Sequence, residues 1–211
     1  MCIRDRFRGS VTAFYNKFKN RIASSYNFTD QSTTDTNVGD SHATGLEIEA
    51  GTVPVNGFSA YVSGSYTKSI IDDNVVGRLV GGVFVPYETA GKQFPDTPKG
   101  MAALSLQYAN GPYLINVAGK YTSPRTLTLV NDVAIPGFTT IDLNAAWKLP
   151  NPSGNGFKNP IIRLNVSNLF NKQYFLANSG SGSNITADNT GNPVVYAGAP
   201  RFTSVTFQVD Y

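Results

Sequence analysis

Period-two alternation, repeated along almost the whole chain, is the feature that limits what this sequence can become. Leu46, Ile48 and Ala50 alternate with Glu47 and Glu49. Phe58, Ala60, Val62, Gly64 and Tyr66 alternate with Ser59, Tyr61, Ser63, Ser65 and Thr67. The pattern returns in Ala102–Tyr108, Tyr113–Tyr121, Ile141–Trp147, Ile162–Val166 and Val205–Tyr211, and less clearly in Val11, Ala13 and Tyr15. Side chains of an extended strand point alternately to opposite faces, so each segment is a strand with one apolar and one polar face. No helical period of useful length competes with it.

The segments are joined in sequence by connections of two kinds. Pro54-Val55-Asn56-Gly57 and Asn110-Gly111 are tight hairpin turns. Asp30–Ala43, Ile70–Thr97, Pro124–Gly137 and Asn178–Gly198 are long and rich in Gly, Ser, Thr and Asn, and Arg78–Val85 reads as a small hairpin around Gly81-Gly82. About eight antiparallel strands with elaborate loops at one rim and turns at the other predict an all-β, up-and-down barrel architecture.

Either face of such a barrel could be wet, and the charges decide. Across the seven clearer strands the apolar face carries no charge, while Glu47, Glu49, Lys120, Asp142, Lys148 and Arg163 share the other face. Aromatics mark the ends of the apolar face: Phe58 and Tyr66, Tyr108, Tyr113 and Tyr121, Trp147, Tyr211. Tyr113 and Tyr121 lie eight steps apart, about 26 Å along a strand. Tilted by about 40°, that is a height of about 20 Å, close to the apolar band of an outer-membrane barrel. Tyr and Trp favour the headgroup level. The apolar face is therefore expected to meet lipid and the polar face an aqueous bore.

Composition narrows the function classes. The chain has 211 residues, 15% charged and 12% aromatic, with a formal net charge of +3. That charge is too small and scattered for a nucleic-acid partner. Cys2 is the only cysteine and His42 the only histidine, so neither a disulfide framework nor a thiolate metal site is expected, and no catalytic constellation is recognisable. His42 reads as a solvated loop residue and Asp72-Asp73 as a loop acidic pair. No catalytic, metal or cofactor residue is expected. The charged start Met1-Cys2-Ile3-Arg4-Asp5-Arg6 lacks the apolar stretch of a leader. Residues 1–6 are expected to be non-native, and residues 7–211 the end of a longer protein.

Four stretches carry a resemblance to a known family. Ile162 to Phe175, containing Asn168-Leu169-Phe170-Asn171-Lys172-Gln173-Tyr174, resembles the C-terminal region of TonB-dependent outer-membrane receptors. So do Gly198-Ala199-Pro200-Arg201-Phe202 before the terminal strand, Phe94-Pro95-Asp96-Thr97-Pro98-Lys99, and Pro136 to Leu143. Asn171 stands where the family more often has Asp, and Tyr211 where it has Phe. The family barrel has about 22 strands, so the resemblance implies a C-terminal segment of a transmembrane barrel in the bacterial outer membrane, without its plug and TonB-contacting segment. It further implies TonB-driven uptake of a small-molecule ligand of the siderophore, cobalamin or glycan class, with lipid, the TonB complex and the barrel-assembly machinery as partners. The alternation Phe207, Val209, Tyr211 is similar to the signal read by that machinery. Phe84, Tyr87 and Tyr196, in the long loops, are the candidate ligand contacts, since exposed aromatics bind apolar or sugar faces. Two other architectures fit the alternation: a complete eight-stranded outer-membrane barrel with a structural or adhesive role, and a soluble β-barrel binding module.

Overall fold

A computed structural model describes residues 6–27, 32–151, 156, 158–177 and 194–211 of the chain. Residues 1–5, on which the expectation of a non-native start mostly falls, lie outside this set, as does most of the 178–198 loop.

Among the described residues sixteen strands are formed: β1 Phe7–Phe18, β2 Ile22–Asn27, β3 Ser32–Asn37, β4 Ser41–Thr52, β5 Phe58–Ile71, β6 Val75–Val80, β7 Val83–Tyr87, β8 Gly100–Asn110, β9 Tyr113–Thr122, β10 Arg125–Thr126, β11 Ala134–Ile135, β12 Phe138–Lys148, β13 Lys158–Ser167, β14 Phe175–Ala177, β15 Val195–Ala197 and β16 Phe202–Asp210. Eight make one antiparallel sheet in the order β1-β4-β5-β8-β9-β12-β13-β16, each paired with the next long strand in the chain. The rest form two-stranded hairpins in the long connections. Asn56 and Gly57 both take positive φ, 51° and 84°, the conformation that a two-residue turn needs to match strand twist.

The register sorts the residues onto faces. Val11, Ile48, Gly64, Ala102, Tyr121 and Thr139 stand in one row, and Phe58, Tyr108, Ile115, Ala145, Leu164 and Val205 in another. On the reverse, Ser10, Glu49, Ser63, Ala103, Lys120 and Thr140 share a row. The uncharged stripes foreseen strand by strand thus join edge to edge across the sheet. Among the described residues, charge reaches the apolar face only at the long-loop rim, at Lys17, Lys68 and the titratable His42.

Nothing in the described chain covers this face. Val11 is 72% exposed, Leu106 51% and Val205 70%. A continuous bare apolar surface of this extent needs a hydrocarbon partner. Hollows of about 490 and 510 Å³ open on the polar side, against a smaller one of about 340 Å³ on the apolar side, so the polar side is read as the concave one.

β1 runs to Phe18, where Lys17 still pairs with His42 of β4. Asp30–Ala43, expected as a loop, is strand in part, since β2 and β3 pair from Ile22↔Asn37 to Asn27↔Ser32. The alternative of a complete eight-stranded barrel is not formed: β1 and β16 are the two edges, and among the described residues no ladder joins them.

The buried core sits beside the sheet, at the long-loop rim. Val38, Ile71, Val75 and Leu129 pack together, with Phe94 against them. These residues come from the roots of three different connections, whose polar backbone is satisfied locally. Thr89 Oγ1 donates to Asp73 O at 2.8 Å and accepts from Val75 N–H at 3.0 Å.

Candidate functional site

Two regions have the chemistry to meet a solute: the concave polar wall and the knot of loop roots above it. On the wall, β4 carries Glu47 and Glu49, and the registered neighbours Ser63, Ser65 and Ala103 are small. Ser10 Oγ donates to Glu49 Oε1 at 2.9 Å and Tyr61 OH to Glu49 Oε2 at 3.1 Å. Both carboxylate oxygens of Glu49 are thereby fixed in place. Lys120 bounds the same hollow on the far side. Farther along, Asn116 Nδ2 donates to Ser105 Oγ at 2.7 Å. Asp142 serves the fold instead, accepting from the Asn168 backbone N–H at 2.8 Å and holding the turn after β13. The wall therefore has an acidic side on β4 and basic residues on β9, β12 and β13.

Above the wall, the loop roots are held by cations inside an apolar knot. The Arg21 guanidinium lies over the Phe94 ring at 3.4 Å and near the Phe18 ring at 5.3 Å. Burial pushes its pKa down from the usual guanidinium value, since a half-dry site disfavours the charge. The ring face offsets part of that cost. Arg125, 8% exposed, places Nε 2.5 Å from Asp96 Oδ1, while its Nη1 finds no acceptor among the described residues. Asn131 joins the same roots: its Oδ1 accepts from Gln93 N–H and its Nδ2 donates to Gln93 O, both at 2.8 Å. Farther round the rim, Phe138 stacks on Tyr174 at 4.2 Å. Phe94, Asp96, Phe138 and Tyr174 lie in the motifs that carry the resemblance, which do not say that Asp96 meets Arg125 or that Phe138 meets Tyr174; Arg21, Gln93, Arg125 and Asn131 lie outside those motifs.

The sequence-predicted contacts are dispersed rather than gathered. Tyr87 ends β7, and its ring fills the space where a Cβ on Gly77 of β6 would stand, leaving it half-buried within its own hairpin. Phe84 is in β7, but its side chain lies outside the described residues. Tyr196 pairs with Leu176 across the β14–β15 hairpin and is 56% exposed. Phe207 and Val209 share the apolar face at the end of the edge strand and Tyr211 directly follows it, with Phe207 62% and Tyr211 99% exposed.

His42 is in strand β4 rather than in a loop. Its Nδ1 lies 2.6 Å from Asp72 Oδ1 and its ring stacks on Tyr15 at 6.0 Å. Among the described residues no three His, Cys, Asp or Glu side chains cluster to hold a metal. Among them, too, no helix is long and apolar enough to cross a membrane, which says nothing of a crossing by strands.

A family model described as TonB dependent receptor-like, beta-barrel matches residues 4–169. A comparison with curated protein sequences found no match. Among solved structures, the chain is similar to the siderophore receptor PiuA from Acinetobacter baumannii, with TM-score 0.70 and 19% identity over 99% of this chain and 26% of that one. It is similar to the ferric citrate transporter FecA, with TM-score 0.66 and 22% identity over 97% of this chain and 28% of that one. The ferric yersiniabactin uptake receptor FyuA from Yersinia pestis gives TM-score 0.64 and 18% identity over 97% and 27%. Identities this low establish the shared fold alone. The chain spans about a quarter of the length of these structures.

Proposed function

Since the chain belongs to the TonB-dependent receptor-like β-barrel family and to the bacterial outer membrane, we propose that it supplies eight consecutive strands to a larger uptake barrel, of about 22 strands. The carrying observation is the face segregation: one continuous uncharged surface outside, one charged and hydrogen-bonded surface inside, and two unpaired edge strands that await neighbours. Open edges of this length are not left bare in a finished barrel.

The ligand is a scarce small molecule, and among the siderophore, cobalamin and glycan classes the siderophore class is favoured. The similar structures named as ferric-siderophore receptors support this choice. Loop residues Tyr196, Tyr87 and Phe84 form part of the capture surface, with the energy for release coming from the TonB complex. This is transport without bond-making chemistry. Phe207, Val209 and Tyr211 present the signal to the barrel-assembly machinery, and the apolar face is solvated by outer-membrane lipid.

The test is iron uptake. The complete receptor containing this chain is expressed in cells lacking their own siderophore receptors, with and without TonB. TonB-dependent accumulation of radioactive iron from a ferric siderophore, reduced by Tyr196→Ala, is the expected result. Uptake of no siderophore, cobalamin or glycan by a correctly inserted receptor would remove the proposal.

A further inference from the structure

We propose a small-oxyanion site on the concave wall at the short-turn end, formed by Lys148 of β12 and Arg163 of β13. The inference rests on the reading of the concave face as the lumen. It adds a ligand class and two residues that the uptake proposal does not use.

The two cations are brought together by register. Ala146 stands opposite Arg163 and Lys148 opposite Ile161, so Lys148 and Arg163 are diagonal neighbours on one face, with Cα atoms about 7–8 Å apart. Both line a single concavity of about 130 Å³, whose floor is Ala109, Leu114, Ala146 and Ile161. The floor is fixed at its end: Lys148 N–H donates to Pro112 O at 2.8 Å, which ties β12 to the turn before β9. Among the described residues neither cation makes an ion pair. No carboxylate lines the concavity. The acid of the adjoining strand, Asp210, stands opposite Lys158 and accepts from Asn159 Nδ2 at 3.1 Å.

Two like charges side by side repel, and a bridging anion turns that repulsion into attraction. Arg offers a planar fork to two oxygens of a carboxylate or phosphate, and Lys adds a point charge from the side. The apolar floor gives the anion no competing hydrogen bonds and limits the occupant to one such group. Because the site opens on an aqueous bore, binding is weak and falls with salt. A solute crossing the lumen with an exposed carboxylate or phosphate would meet this pair last, at the rim opposite the capture loops.

Equilibrium dialysis of the complete receptor in detergent, with radiolabelled inorganic phosphate at low salt, tests the site. Saturable binding is expected, about tenfold weaker in Lys148→Gln or Arg163→Gln and absent in the double variant, with Lys68→Gln, on the apolar face, unchanged. Circular dichroism and heat-modifiable migration confirm that each variant is folded. Phosphate binding that survives in the double variant overturns the proposal. So does its absence from the parent. A parallel Ala109→Cys label in vesicles separates the premises. Reaction with a membrane-impermeant sulfonate reagent upholds the lumen reading, whereas protection from it with quenching by lipid-borne spin label overturns that reading and the site together.

Discussion

Arg125 and Asp96 lie in different segments of the chain, yet Arg125 Nε sits 2.5 Å from Asp96 Oδ1 with the arginine side chain 6% exposed. The pair joins the connection before β8 to the one after β9, beside the backbone bond from Asp96 N–H to Thr126 O at 2.8 Å. Asp96 also has φ of 52°, which Asn tolerates. Asp96→Asn keeps that backbone and removes the charge, leaving a buried guanidinium poorly matched. The variant is expected to lose about 1–3 kcal/mol of local stability. Limited proteolysis should then cut within residues 89–97 or 124–137 faster than in the parent. Unchanged cleavage would show that the pair does not hold the loop roots.

Close packing at Gly45 makes a second prediction. A Cβ there would collide with the Phe14 ring and lie 2.7 Å from the Tyr66 carbonyl oxygen. The ring could turn aside, but the carbonyl is part of the β4–β5 ladder and cannot. Gly45→Val is expected to destabilise the barrel by about 1–3 kcal/mol, with only partial recovery on adding Phe14→Ala. Urea titration followed by heat-modifiable gel migration measures both. Full recovery in the double variant would locate the whole conflict in the ring.

The orientation of the faces can be tested with one charge placed on either side. Leu104 stands in the mid-sheet apolar row with Val62 and Gly119, and its neighbour in sequence, Ala103, faces the polar hollow near Glu49 and Lys120. Leu104→Arg is expected to cost about 2–4 kcal/mol in a bilayer, and Ala103→Arg well under half of that. Equal costs, or a larger one at Ala103, would mean that the hydrocarbon lies on the other face.

The terminal strand supplies the fourth test. Tyr211 directly follows β16, is 99% exposed, and continues the alternation of Phe207 and Val209. Removing Tyr211 from the complete receptor is expected to lower its level in the outer-membrane fraction several-fold, while Asp210→Asn on the opposite face leaves it unchanged. Equal levels of the two variants, measured by immunoblot, would separate insertion from this residue.

The eight sheet strands were legible because period-two alternation is a local property, visible within any ten residues. Joining them into one surface was legible only in outline, since register is a relation between strands. The residues that hold the loop roots were not legible. Val38, Ile71, Val75 and Leu129 sit in stretches whose composition is that of ordinary loops, and nothing in their spacing says that they meet. Arg21 and Arg125 carry no signal of their own for the same reason; only the tertiary structure supplies Phe94 and Asp96. Tyr87 was chosen as an exposed aromatic, whereas the missing Cβ of Gly77 gives the ring a place within its own hairpin.

The shared knot at the loop roots has a mechanical consequence. Val38 precedes β4, Ile71 and Val75 flank the start of the β6–β7 arm, and Leu129 belongs to the arm after β9. No one of these three arms can swing at its base without stripping cover from the other two. Hinging is therefore concerted at the bases and independent only toward the tips. The arms would bend as fingers do on a stiff palm.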